Sequence, residues 1–151
     1  MVDELLDEAS MRVLEEYLRD ARQSFREVAR RTGFSSGTVA SRVKRMEEAG
    51  IIKRYTVQLD YERMGYELMA VTEIIVSDGM MMEVGDRIAK IPPTIGVYNV
   101  TGDSDIMAVA KFKTRQQLSD FTKNITKMPH VVRTKTHVVL NTLKEELSLL
   151  P

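Results

Sequence analysis

Two aspartates, Asp103 and Asp105, stand two residues apart in the run Gly102-Asp103-Ser104-Asp105. Carboxylates at that spacing can share a cation or divide acid and base roles between them. No nearby histidine or third acid completes a ligand set, and glycine with aspartate is equally the chemistry of a hairpin turn, so both readings stay open from the residues alone. Residues 33–37, Gly-Phe-Ser-Ser-Gly, match the nucleophile elbow pattern G-x-S-x-G. That elbow needs a strand before it, a helix after it and a histidine base. Here a helical pattern precedes it, and both histidines, His130 and His137, lie in the other half of the chain without metal-ligand spacing. There is no Walker loop or dinucleotide fingerprint. The absence of cysteine removes thiol nucleophiles, disulfides and Cys-ligated metals. The expectation is no enzyme, no cofactor and no metal, with an Asp103 and Asp105 enzyme kept as a rival, and binding chemistry is the stronger lead.

Charge supplies it. The 151 residues carry 22 basic and 22 acidic side chains, a neutral total that at first argues against a nucleic-acid partner. The distribution says otherwise. Residues 3–20 hold seven acids and two arginines, whereas residues 22–54 hold nine bases against Glu27, Glu47 and Glu48, a local excess of six positive charges. A basic window on one element is the electrostatic footprint of a phosphate-backbone partner.

The elements that position these bases read as helices. Met11, Leu14 and Leu18, with Val13 and Tyr17, recur at helical spacing and predict a first helix over about 7–20, with the acids Asp3 to Glu8 at its N-terminal end. Ser24 and Glu27 form a capping box for a short second helix. Gly33 suits a left-handed helix end, and Ser35 or Ser36 caps a third helix that runs to about Ala49. Two helices joined by a glycine-containing turn, the second basic, make a helix-turn-helix. Val39, Val43 and Met46 give the third helix a buried stripe, and Gly37, Thr38, Ser41, Lys44, Arg45 and Glu48 point away from it, with Arg42 on the flank. The expected DNA contacts are Ser35, Ser36, Thr38, Ser41 and Arg42 toward base edges, and Lys44, Arg45, Lys53 and Arg54 toward phosphates.

The period changes after a connector, residues 51–66, of which Ile51 to Asp60 is read as an extended strand. Leu68 to Val76 is a β-branched, nearly continuous apolar run, as for a strand covered on both faces. Met81, Val84 and Ile88 mark a helix closed by Pro92-Pro93. Val97 to Thr101 and Ile106 to Phe112 flank the Gly102–Asp105 turn. Leu118, Phe121 and Ile125 mark another helix, and Val131 to Leu140 forms the last strand. The order β-α-β-β-α-β is the ferredoxin-like arrangement, a four-stranded sheet with two helices on one face. Val132, Thr134, Thr136, Val138 and Leu140 fall on one side of the last strand, and Arg133, Lys135 and His137 on the other. The sheet face without helices needs cover, which a second subunit would supply.

Leu6-Asp7-Glu8, Leu14, Leu18, Asp20-Ala21-Arg22, Val28-Ala29-Arg30 with Gly33-Phe34-Ser35, and Arg42-Val43-Lys44-Arg45-Met46-Glu47 with Gly50-Ile51-Ile52 resemble the Lrp/AsnC, or feast/famine, transcription regulators. Val100-Thr101-Gly102-Asp103-Ser104-Asp105 is similar to the family's effector-loop motif. Ser10 replaces a common acid, Met46 a usual Leu, and Ser104 a common aromatic. The resemblance implies an α+β chain: a three-helix winged-type helix-turn-helix domain over residues 1–50, the connector, and an ACT-like effector-binding and oligomerisation domain over 67–151. It also implies an amino-acid effector held between subunits by Gly102, Asp103, Ser104 and Asp105, with hydroxyl contacts from Thr134 and Thr136. A homodimer assembling into a tetramer or octamer would meet a pseudo-palindromic site on double-stranded DNA. The acidic start Met1-Val2-Asp3-Glu4 is unlike a signal peptide, and no apolar run reaches membrane-span length, so a cytoplasmic protein is expected. The rival readings are an amino-acid-sensing module without DNA binding, an architectural DNA-binding protein, and a small enzyme using Asp103 and Asp105.

Overall fold

The computed structural model describes residues 5–146 and 148. Of the acids expected at the start of the first helix, Asp3 and Glu4 lie outside the described residues. The chain divides into two compact units, Met1–Gln58 with Lys144–Pro151, and Leu59–Leu143.

Among the described residues, the first unit is built on three helices with defined ends. Helix α1 spans Glu8–Arg19, and the Asp7 side chain caps it by accepting from the Ser10 N–H. Helix α2 spans Phe25–Thr32 behind the Ser24/Glu27 capping box and ends at Gly33 in the left-handed region, φ 78°. Helix α3 spans Ser36–Glu48, capped by Ser35, which accepts from the Thr38 N–H. Their apolar stripes meet in one core of Val13, Tyr17, Val28, Ala29, Val39, Val43 and Met46, with Phe34, Ile51 and Ile52 packed around it.

The connector strand expected from Ile51 to Asp60 is not formed: residues 53–60 carry no ladder hydrogen bonds, and 61–65 make a turn. The extended pattern is there, with Tyr55, Val57 and Leu59 alternating and exposed. A strand requires a partner, and no described segment runs beside it as one. It is tied instead by side chains, the Tyr55 hydroxyl donating to Glu47 and the Gln58 amide donating to the Glu145 carbonyl.

The second unit follows the order β-α-β-β-α-β: β1 Leu68–Val76, α4 Met81–Ala89, β2 Thr94–Asn99, β3 Ile106–Phe112, α5 Arg115–Thr126 and β4 Val131–Val138. The strands lie in the order β2-β3-β1-β4, every neighbouring pair antiparallel. Ala70, Thr72 and Ile74 of β1 and Ile106, Ala108, Ala110 and Phe112 of β3 are buried on the helix side, against Val84 and Ile88 of α4 and Phe121 and Ile125 of α5. Alternate residues form the open side, where Val71 lies opposite Val109 and His137, and Glu73 lies opposite Met107 and Lys135.

The register decides which side of β4 faces which way. Thr134, Thr136 and Val138 stand opposite Ile74, Thr72 and Ala70, hence on the helix side, and Arg133, Lys135 and His137 on the open side. The apolar part of the open face therefore comes from β1, β3 and, through Tyr98 opposite Met107, β2, not from the last strand.

Candidate DNA-binding and effector sites

On α3 the residues Val39, Val43 and Met46 are buried, and Ser35, Ser36, Gly37, Thr38, Ser41, Lys44 and Arg45 form an exposed ridge opposite them. Lys53 and Arg54, just past the helix, are exposed as well. The Ser35 hydroxyl accepts from the Thr38 N–H at 3.0 Å and lies 2.8 Å from the Thr38 hydroxyl, so both belong to the helix cap as well as to the surface. Lys44 pairs loosely with Glu48 one turn on, at 3.7 Å and well exposed. Such a pair is worth little in water and leaves the lysine available to an anion.

Arg42 departs from the expected set. Its Nη1 donates to the Asp7 carboxylate and, at 2.7 Å, to the Ser10 hydroxyl, which lie at the cap and in the first turn of α1. Ser10 is 3% exposed, and the Arg42 Nε is buried without a hydrogen bond among the described residues. The guanidinium beside Asp7 holds that carboxyl well below the usual range, with the Ser10 N–H as the second cause.

At the other site, the turn expected between β2 and β3 closes with Val100 N–H donating to the Asp105 carbonyl, and Gly102 takes a φ of 115°. The two aspartates do different things. Asp105 donates its N–H to the Ile74 carbonyl and accepts the Val76 N–H on Oδ2 at 2.8 Å, which ties the turn to the end of β1. Asp103 is exposed. Ser104 is buried, its hydroxyl donating to Glu73 at 2.9 Å. Thr134 and Thr136 lie on the helix side, their hydroxyls 3.2 Å from that of Thr126 and 3.1 Å from that of Thr72. The structure thus gathers Gly102 to Asp105 in one turn and sets the two threonines on the sheet surface beneath α5.

Two groupings escape the sequence reading. Glu73, on the open face, bonds His137 at 2.8 Å and Ser104, with Lys135 at 3.9 Å, and these lower its pKa, His137 foremost. The available signal is a lone acid inside the apolar run Leu68–Val76. Asp78 and His130 both adopt positive φ, 59° and 70°, and meet at 3.2 Å between the β1–α4 and α5–β4 turns. Ser77 and then His130 hold the Asp78 carboxyl below its ordinary value. Non-glycine residues in this region cost conformational energy, so the pair is held by its surroundings. Among the described residues, no group of three or more His, Asp or Glu is placed to hold a metal, and no helix is long and apolar enough to cross a membrane.

Comparison with known proteins gives this arrangement a family. The winged helix-turn-helix DNA-binding family matches residues 6–53, and the Lrp/AsnC ligand binding domain matches residues 69–149. An uncharacterised HTH-type transcriptional regulator of Pyrococcus abyssi is 37% identical, covering 97% of this chain and 100% of its own. The HTH-type transcriptional regulator LrpA of Pyrococcus horikoshii is 32% identical over 93% of this chain and 100% of its own. Among solved structures, B. subtilis LrpC superposes with a TM-score of 0.83 at 27% identity, covering 93% of this chain and 99% of that one. A feast or famine regulatory protein from M. tuberculosis, solved with L-methionine, superposes with a TM-score of 0.88 at 26% identity, covering 97% and 99%. With a DNA-binding helix-turn-helix followed by an effector-type βαββαβ unit, the chain belongs to the Lrp/AsnC family of transcriptional regulators.

Proposed function

We propose that the protein binds a specific pseudo-palindromic DNA site as a cytoplasmic homo-oligomer, that an amino acid shifts this binding, and that it works without catalysis. The observation that carries the reading is the α3 ridge. Ser36, Thr38 and Ser41 offer short hydrogen-bonding groups to base edges, and Lys44, Arg45, Lys53 and Arg54 offer charge to phosphates. Behind them, Val39, Val43 and Met46 anchor the helix.

A second copy packs on the open sheet face, where Val71, Ile75, Met107 and Val109 are only partly buried in the single chain. Two-fold pairing would give two recognition helices and so a two-fold DNA site, its half-sites a helical turn or a multiple apart. The effector is an amino acid held between subunits at the Gly102–Asp105 turn. The exposed Asp103 carboxylate suits its ammonium group, and turn N–H groups suit its carboxylate. The L-methionine held by the M. tuberculosis relative supports this chemistry. Thr134 and Thr136 contribute only where their hydroxyls exchange their present threonine partners for the ligand. If the effector favours one assembly and DNA favours the same or another, each changes the other's affinity by the same factor.

The test is to select duplexes from a random pool with the full chain, then titrate the selected and a scrambled duplex in the presence of each amino acid. We expect tight, sequence-preferring binding that one amino acid or a few shift, and Asp103→Ala to bind DNA normally without the shift. Equal weak binding to both duplexes, unmoved by any amino acid, would refute the reading.

A further inference from the structure

We infer that Arg42 is a positioning residue of the recognition helix: with Asp7 and Ser10 it forms a latch that fixes the rotation of α3 against α1, and it does not read DNA itself. The inference rests on the DNA-binding role proposed for α3. Arg42 lies one residue after Ser41 and three before Arg45, so whatever sets its direction sets the direction of the exposed ridge. The apolar stripe of Val39, Val43 and Met46 holds α3 onto the core, but apolar packing is non-directional and permits small rotations. A charged hydrogen bond is directional.

The latch has directional contacts at both ends. Arg42 Nη1 donates to Asp7 Oδ1 and to Ser10 Oγ. Asp7 Oδ1 also accepts the Ser10 N–H at 2.8 Å, so one oxygen both caps α1 and holds α3. The Arg42 side chain is 22% exposed, against 75% for Lys44 on the ridge. Both bonds come from Nη1, and Nε is buried, so swinging the whole guanidinium outward to a phosphate would break both and take from Asp7 its cation. Base-edge recognition demands placement to about half an ångström, whereas Coulomb attraction to phosphates tolerates more. Loss of the latch should therefore reduce sequence preference while sparing non-specific affinity.

The experiment compares Asp7→Ala, Arg42→Ala, the double variant and Lys44→Ala on the selected and scrambled duplexes over a range of salt. We expect Asp7→Ala and Arg42→Ala each to lower the selected-to-scrambled affinity ratio about tenfold, with scrambled affinity and salt slope unchanged. The double variant should be no worse than either single one. Lys44→Ala should weaken both duplexes and reduce the salt slope by about one. The inference is overturned if Arg42→Ala weakens both duplexes with a reduced slope while Asp7→Ala leaves binding unchanged or strengthens it, since Arg42 then touches a phosphate. Asp7→Asn, which keeps a capping acceptor, replaces Asp7→Ala if the latter does not fold. A wild-type chain that selects no sequence refutes the functional reading instead. The latch is then judged by amide exchange in α3, faster in both single variants and no faster in the double if it exists, and unchanged if it does not.

Discussion

Asp103 and Asp105 occupy one turn, yet only one carboxylate is structurally committed. Asp105 satisfies the Val76 N–H at the end of β1, so Asp105→Ala leaves a part-buried donor without its acceptor. We expect a loss of about 1–2 kcal/mol in unfolding free energy, read by urea titration, whereas Asp103→Ala stays within about 0.5 kcal/mol. Equal effects would mean that the turn is not tied as described. Four carboxylates, those of Asp7, Glu27, Glu73 and Asp78, are held below their ordinary values by hydrogen bonds and cations. The unfolded chain therefore binds more protons than the folded one at acid pH, and the stability these groups contribute is present above about pH 4.5 and lost as pH falls through their folded values. Thermal scans from pH 6 to pH 3 should show a constant Tm that falls below about pH 4.5, and a flat profile would mean that these bonds do not form in solution.

At the scale of the element, α3 separates two kinds of residue that the sequence interleaves. Met46 is fully buried, so Met46→Ala should cost about 2–4 kcal/mol by urea unfolding, whereas Lys44→Ala should change stability by less than about 0.5 kcal/mol. A Met46→Ala variant as stable as the parent would place that residue outside the core. The helices and the four sheet strands are legible in the sequence because their signals are local: the Ser24/Glu27 capping box, the Gly33 stop, the apolar run of β1 and the glycine turn before β3. What stays hidden depends on partners distant in the chain. Residues 51–60 have the alternation of a strand, but pairing is a property of two segments. The facing of Thr134 and Thr136 depends on their register with β1, about sixty residues earlier. Arg42 has the spacing of a surface residue, and only the fold brings Asp7, 35 residues away, to its guanidinium. Glu73 and His137, 64 residues apart, meet for the same reason.

At the scale of the whole molecule, the sheet has one face sealed by helices and one face of Val71, Ile75, Met107 and Val109 around the Glu73 and His137 pair. Under the proposed pairing of two copies, Val109→Arg puts an unpaired charge where water is excluded, which is costly enough to dissociate a dimer. Sedimentation velocity should show the variant as a folded monomer and the parent as a larger species. A variant that sediments like the parent would move the interface elsewhere. The same face carries a built-in optical reporter. Tyr98 lies across Gly96, its hydroxyl so near that an added Cβ would meet it at 2.7 Å. Tyr17 with Tyr55 and Tyr61 with Tyr66 meet edge to face, while Tyr98 is half exposed. The chain has five tyrosines and no tryptophan, so its near-ultraviolet emission comes from phenols without an indole to mask them. Covering Tyr98 thus changes the yield of the native protein's own light, with no label attached.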